Sequence, residues 1–163
     1  MKKEKLFDAL IMQIISAKKI TMQRQKESQT EANMHIGAME SRYDTFKEEA
    51  QYLAGAQAIR VNELNQELLE LQQLYELVRQ NAIPYNRICL GSLVVVETEF
   101  GEKKTYLVAS AAGGQLIETE EGKCQVITPA SPVGRALVGK KVGDEIEFLL
   151  NGTVIISEVI AIE

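Results

Sequence analysis

Tryptophan is absent, and histidine occurs once, at His35. A single imidazole excludes paired-histidine metal sites and leaves Ser–His or Cys–His catalysis without support. His35 therefore reads as an ordinary exposed side chain. Cysteine is scarce too: Cys89 and Cys124 are the whole set, with no Cys-x-x-Cys spacing. Neither a disulfide framework nor a zinc site is indicated, and both read as small apolar strand residues. A basic excess is also missing. The net charge of -5 argues against a chain that grips nucleic acid by itself, since that needs a cationic surface to release counterions. An acidic protein working near nucleic acid would instead bind a protein machine.

Long hydrophobic runs are lacking as well. In "MKKEKLFDALIMQIISAKK" the lysines Lys2, Lys3 and Lys5 precede an apolar stretch, but Glu4 and Asp8 interrupt it and no small-residue cleavage site follows. No segment reaches the ~18–20 apolar residues of a membrane span. The expectation is a cytoplasmic protein with no membrane partner. "AAGGQLIE" lacks the Lys-Ser/Thr of a phosphate loop, and no aromatic-basic platform for single strands is present. No nucleophile–base pair is evident, so a self-contained enzyme is not expected.

Residues 1–81 hold no proline and only two glycines, Gly37 and Gly55. Glu, Gln, Lys, Leu, Ala and Met dominate there, all good helix formers. Val61, Leu64, Leu68, Leu71, Tyr75 and Val78 recur at alternating spacings of 3 and 4, the seam of a supercoiling helix. Leu6, Leu10, Ile11, Ile14 and Ile15 form a poorer stripe upstream. "QRQKESQTE", residues 23–31, has no apolar side chain and should pack loosely. Thr45 with Glu48 three residues on reads as a capping box, hence a helix start and a reversal of the chain around Tyr43–Thr45. Two antiparallel arms of about 35–40 residues follow, each roughly 50–60 Å long at ~1.5 Å per residue.

After the linker "NAIPYN" the period changes. "SLVVVETEF", "KTYLVAS", "QLIETE", "CQVIT", "DEIEFLL" and "TVIISEVIAI" read as strands, divided by turn signals that include Asn151-Gly152. In "SPVGRALVGKK", Ser131 suits an N-cap, Pro132 the first helical position and Gly139 the exit. The fold expected is α+β: an antiparallel coiled-coil hairpin over 1–81, then a small antiparallel sheet domain with one short helix over 82–163.

Asp44, Glu48 and Glu49 gather three carboxylates within six residues. Acids suit a helix N-terminus, where the aligned peptide dipoles favour negative charge. The same oxygens suit a hard cation such as magnesium, which is often held by one or two carboxylates plus groups from a partner.

"SPVGRALVGKKVGDEIEF" (Ser131–Phe148), "ICLGSLVVV" (Ile88–Val96) and "EAQY" (Glu49–Tyr52) resemble the Gre family of bacterial transcript cleavage factors, GreA and GreB and their relatives, along nearly the whole chain. The resemblance implies an FKBP-like sheet domain that docks on the rim of RNA polymerase's secondary channel. It implies a coiled coil that reaches down the channel as a monomer, and contact with the nascent RNA 3′ end that is only indirect. Asp44 and Glu48 would act as the catalytic acids, and Asp44, Glu48 and Glu49 would help hold the second Mg2+, shared with the polymerase active site. Ser131 and Pro132 would contact the rim. The factor would thus activate the polymerase's own cleavage of backtracked transcripts. Matched on Ala50 and Tyr52, Glu48 falls on the family's tip glutamate, Glu49 on an asparagine and Thr45 on the family's aspartate, with Asp44 one position earlier. Two other readings stand beside this one: a non-cleaving homologue that occupies the channel, and a module whose coiled coil pairs between chains.

Overall fold

A computed structural model of the chain describes residues 2–34, 43–81, 83, 86–150 and 152–163, with the side chains of 31–34, 43–47 and 150 outside the description. Two long helices come first, α1 (Lys3–Met34) and α2 (Tyr43–Arg79). At 32 and 37 residues they form the expected helical hairpin. The expected seam is real: Leu64, Leu71 and Val78 are buried on α2, as are Leu6, Leu10 and Ile14 on α1. Leu74 and Phe7 join them, and the Phe7 ring stacks on Tyr75 with centroids 5.1 Å apart. Ile15, expected in the stripe, is 43% exposed because it stands a helical step past Ile14 and faces away from the seam. Among the described residues of the polar stretch only Ser28 is buried.

The helix start differs from expectation. α2 runs from Tyr43, so Thr45 lies within the helix instead of capping it. The physical reason is that a capping signal marks a boundary only where the backbone leaves the helix; followed by the helix formers of α2, Thr45 stays inside it. Residues 35–42, with His35 and Gly37, lie outside the described residues.

Six strands follow, all where the residue pattern puts them: β1 (Leu93–Thr98), β2 (Lys103–Val108), β3 (Leu116–Thr119), β4 (Gly122–Ile127), β5 (Glu145–Leu150) and β6 (Thr153–Ile162), with helix α3 (Pro132–Leu137) between β4 and β5. They form one sheet in the order β3-β4-β2-β1-β6-β5. Four of its neighbouring pairs are antiparallel; β2 and β4 run parallel, Thr105 facing Cys124 and Val108 facing Ile127. The sheet is therefore mixed: β3 takes the edge, and β4, folding back on it, lies beside β2 in the same direction. Gly152 sits at φ +81 between Leu150 and Thr153, the left-handed conformation that a tight hairpin requires; Asn151 lies outside the described residues.

One face of the sheet packs on α3. Val94, Val96, Ile146, Phe148 and Val159 are buried with Leu137, and Val133 and Ala136 lie against them. Alternation along the strands sends Glu97, Glu145 and Glu158, which face one another across β1, β6 and β5, to the other side.

By compactness the chain divides into Met1–Ile11 with Leu69–Glu163, and Met12–Leu68. The division crosses both helices and does not fall at the 81/82 boundary where the residue pattern changes. Within the first unit, Gly91 lies close against the end of α2. It has φ +83, and a Cβ there would meet a Val78 methyl at 2.8 Å and Ile83 at 2.9 Å. The end of α2 thus packs on the loop before β1 at a distance only glycine permits.

Candidate functional site

The segment from Thr128 to Gly139 is assembled by backbone chemistry. Ser131 has extended angles (φ -68, ψ 155) and precedes Pro132, whose fixed φ suits the first helical position. The Ser131 hydroxyl donates to the Thr128 carbonyl at 2.7 Å and accepts from the Gly134 N–H at 3.0 Å. The Ser131 N–H donates to the same carbonyl at 3.0 Å. Gly134 closes the arrangement: a Cβ there would collide with the Thr128 carbonyl oxygen. At the far end Gly139, at φ +85, donates its N–H to the Ile88 carbonyl, and Ile88 donates to the Lys140 carbonyl, both at 2.8 Å. Arg87 adds a guanidinium bond to the Gly139 carbonyl at 3.1 Å.

Ser131 is thus half-buried and its hydroxyl is committed to the turn, while Pro132 is exposed. The exposed surface of the turn is the Pro132 ring and, one turn on, Arg135. Arg135 gave no signal in the sequence, since a lone arginine in a short helix fits any surface.

The acid positions lie at the start of α2. Position 44 and Glu48 are four residues apart in the sequence of one continuous helix, about one turn. Glu49 is the next helical step. Glu48 and Glu49 are exposed, whereas the Asp44 side chain lies outside what the structure describes. One turn beyond Glu48 stands the aromatic ring of Tyr52, 80% exposed. Among the described residues no group of three or more His, Cys, Asp or Glu side chains could hold a metal ion. Glu48 and Glu49 present exposed carboxylate groups near the start of α2.

A family model described as transcription elongation factor, GreA/GreB, C-term, matches residues 83–163. Over 126 residues the chain is 32% identical to the transcription elongation factor GreA of Mesorhizobium japonicum, covering 76% of this chain and 76% of that one. The chain belongs to the GreA/GreB family. It is 33% identical over 106 residues to the transcription elongation factor GreA of Streptococcus thermophilus, so that 64% of this chain matches and it spans 62% of the length of that GreA. A solved structure of the transcription factor Gfh1 is 22% identical, with a TM-score of 0.42 and coverage of 95% of this chain and 94% of that one. The GreA/GreB match includes the whole capped turn from Thr128 to Gly139 and the sheet around it. No helix among the described residues is long and apolar enough to cross a membrane.

Proposed function

We propose that this chain is a transcription elongation factor that binds RNA polymerase through the secondary channel and stimulates hydrolytic cleavage of backtracked transcripts. The observation that carries the reading is the GreA/GreB sheet domain joined in one chain to a helical hairpin whose second helix starts with exposed carboxylates. In this reading the exposed Pro132, held in place by the Ser131 cap, contacts the polymerase at the rim. Asp44 and Glu48, one turn apart, lend oxygens to a Mg2+ shared with the polymerase active site, with Glu49 as a neighbouring charge. Magnesium supplies an activated, oriented water for phosphodiester hydrolysis. The chain's part is to place two carboxylates where the polymerase's own ligands are incomplete, which makes the protein an activator and not an enzyme.

The test is a cleavage assay on backtracked elongation complexes with the wild type and the D44N/E48Q pair. The wild type accelerates cleavage, and the pair loses at least tenfold while still competing for the polymerase. Equal acceleration by both proteins sinks the catalytic role of the acids. One observation favours a second reading: Thr45 stands where the family has aspartate, and Asp44 precedes it. A protein that slows nucleotide addition without accelerating cleavage would be a non-cleaving occupant of the channel.

A further inference from the structure

Strand β5 ends the sheet: β6 pairs with it on one side, and no strand among the described residues lies on the other. Leu150 faces Thr153 with two residues between them. In such a hairpin the closing pair exchanges both N–H···O bonds, and bonded and unbonded pairs alternate from there. Leu150, Phe148 and Ile146 therefore bond to β6. The Val159 N–H, donating to the Asp144 carbonyl at 3.0 Å, continues the same alternation. Glu145, Glu147 and Leu149 then turn their N–H and C=O groups outward. The Glu145 carbonyl accepts from Lys140 Nζ at 3.2 Å. Among the described residues nothing bonds to the outward backbone groups of Glu147 and Leu149. Such a row of unpaired groups is a template for a further strand.

The side chains beside this edge carry one sign of charge. Residues 144–163 hold five carboxylates and no lysine or arginine. Glu145, Glu147 and Glu158 share the outer face with Leu149, Val154 and Ile156, which are 59%, 51% and 41% exposed. The three carboxylates pair with no cation among the described residues, whereas Glu97 on the same face has Lys103 at 4.0 Å. Glu97, Glu145, Ile156 and Glu158 line an open depression of about 290 Å3. A lysine side chain suits it, its stem against Ile156 and its ammonium among the carboxylates.

We propose that β5 takes on a further strand: an extended, cationic segment of a partner protein. Lysine or arginine stands at its alternate positions facing Glu145 and Glu147, and an apolar residue faces Leu149. Backbone bonds to Glu147 and Leu149 supply the pairing, and the alternating side chains supply the selection. A second copy of this chain does not fit, because β5 laid against β5 sets carboxylate opposite or diagonal to carboxylate. Nucleic acid is repelled by the same charges. The carboxylates are exposed, so the attraction weakens as salt rises.

The probe is a capped heptapeptide, Val-Thr-Lys-Thr-Lys-Thr-Lys, titrated into the full chain at low salt while backbone amides are followed by NMR. Laid antiparallel, its valine faces Leu149 and its first two lysines face Glu147 and Glu145. Binding moves the β5 signals and slows hydrogen exchange at the Glu147 and Leu149 amides. N-methylation of the lysine amides keeps the charge but removes donors that face β5, and affinity falls about tenfold. E145K/E147K, altered only at exposed positions, also loses about tenfold, and it binds the peptide with glutamate in place of lysine instead. No binding of the lysine peptide, equal binding of its N-methylated form, equal binding by E145K/E147K, or unchanged exchange at Glu147 and Leu149 overturns the proposal. The N-methyl comparison uses the wild type alone, so it decides the matter whatever the stability of the variant. None of these outcomes depends on cleavage or polymerase binding.

Discussion

At Gly134 a single hydrogen atom decides whether the Ser-Pro turn closes. Any Cβ at that position runs into the Thr128 carbonyl, which already accepts two bonds from Ser131. Gly134→Ala should therefore cost more than the ~1 kcal/mol typical of losing a cap residue, in the range of about 2–4 kcal/mol seen when packed backbone must move. Urea titrations of G134A and S131A side by side check the order. Two ionisable groups also mark the fold. Burial pulls the Lys3 ammonium down to about 8, against the opposing pull of Glu163 and Cys89. Burial pushes the Cys124 thiol up to about 12. The folded chain thus gives up the Lys3 proton before the unfolded chain does, so this group's penalty is full below pH 8 and is relieved as pH rises toward 10.5. Cys124 acts in the opposite sense, withdrawing stability above its ordinary value of 9. K3M isolates the first effect: wild-type stability should rise relative to K3M between pH 8 and pH 10.5, and a flat difference across that window would refute it.

Among the elements, the hairpin is unevenly held. Its apolar seam is dense from Leu6 to Ile14 and from Leu64 to Val78, then gives way to Ser28 and to Gln57, whose buried Oε1 has no hydrogen-bond partner among the described residues. The composition of residues 23–31 made this legible, because polar side chains cannot replace the apolar area a seam removes from water. Phe7 was not legible, since one aromatic in an apolar run gives no hint that it will stack on Tyr75 from the other helix. Phe7→Ala should lower stability by about 3–5 kcal/mol, as for other fully buried aromatics, while Met12→Ala, at an exposed position, should change it little. Urea midpoints of the two variants give the comparison. The start of α2 was misread: Thr45, expected to cap the helix, lies inside it, because a local capping signal marks a boundary only where the backbone leaves the helix.

For the molecule as a whole, the sheet domain and the lower hairpin form one compact unit, tied at Gly91 where Val78 and Ile83 close in. A fragment of residues 83–163 keeps all six strands but loses the helical residues that cover this loop. It should fold, with a lower urea midpoint than the sheet of the full chain when followed by strand circular dichroism. The sequence alone determined the helices, the six strands, the capped α3 and the hairpin turn at Gly152, because each rests on local periodicity and backbone preference. It also marked Asp44, Glu48, Glu49, Ser131 and Pro132 as candidate site positions. Only the tertiary structure decided that β4 lies parallel to β2, that the Ser131 hydroxyl serves its own turn, and that Met12, Ile15 and Met22 remain uncovered. Those depend on which segments meet in space, and a pairing between distant residues leaves no periodic trace in either partner.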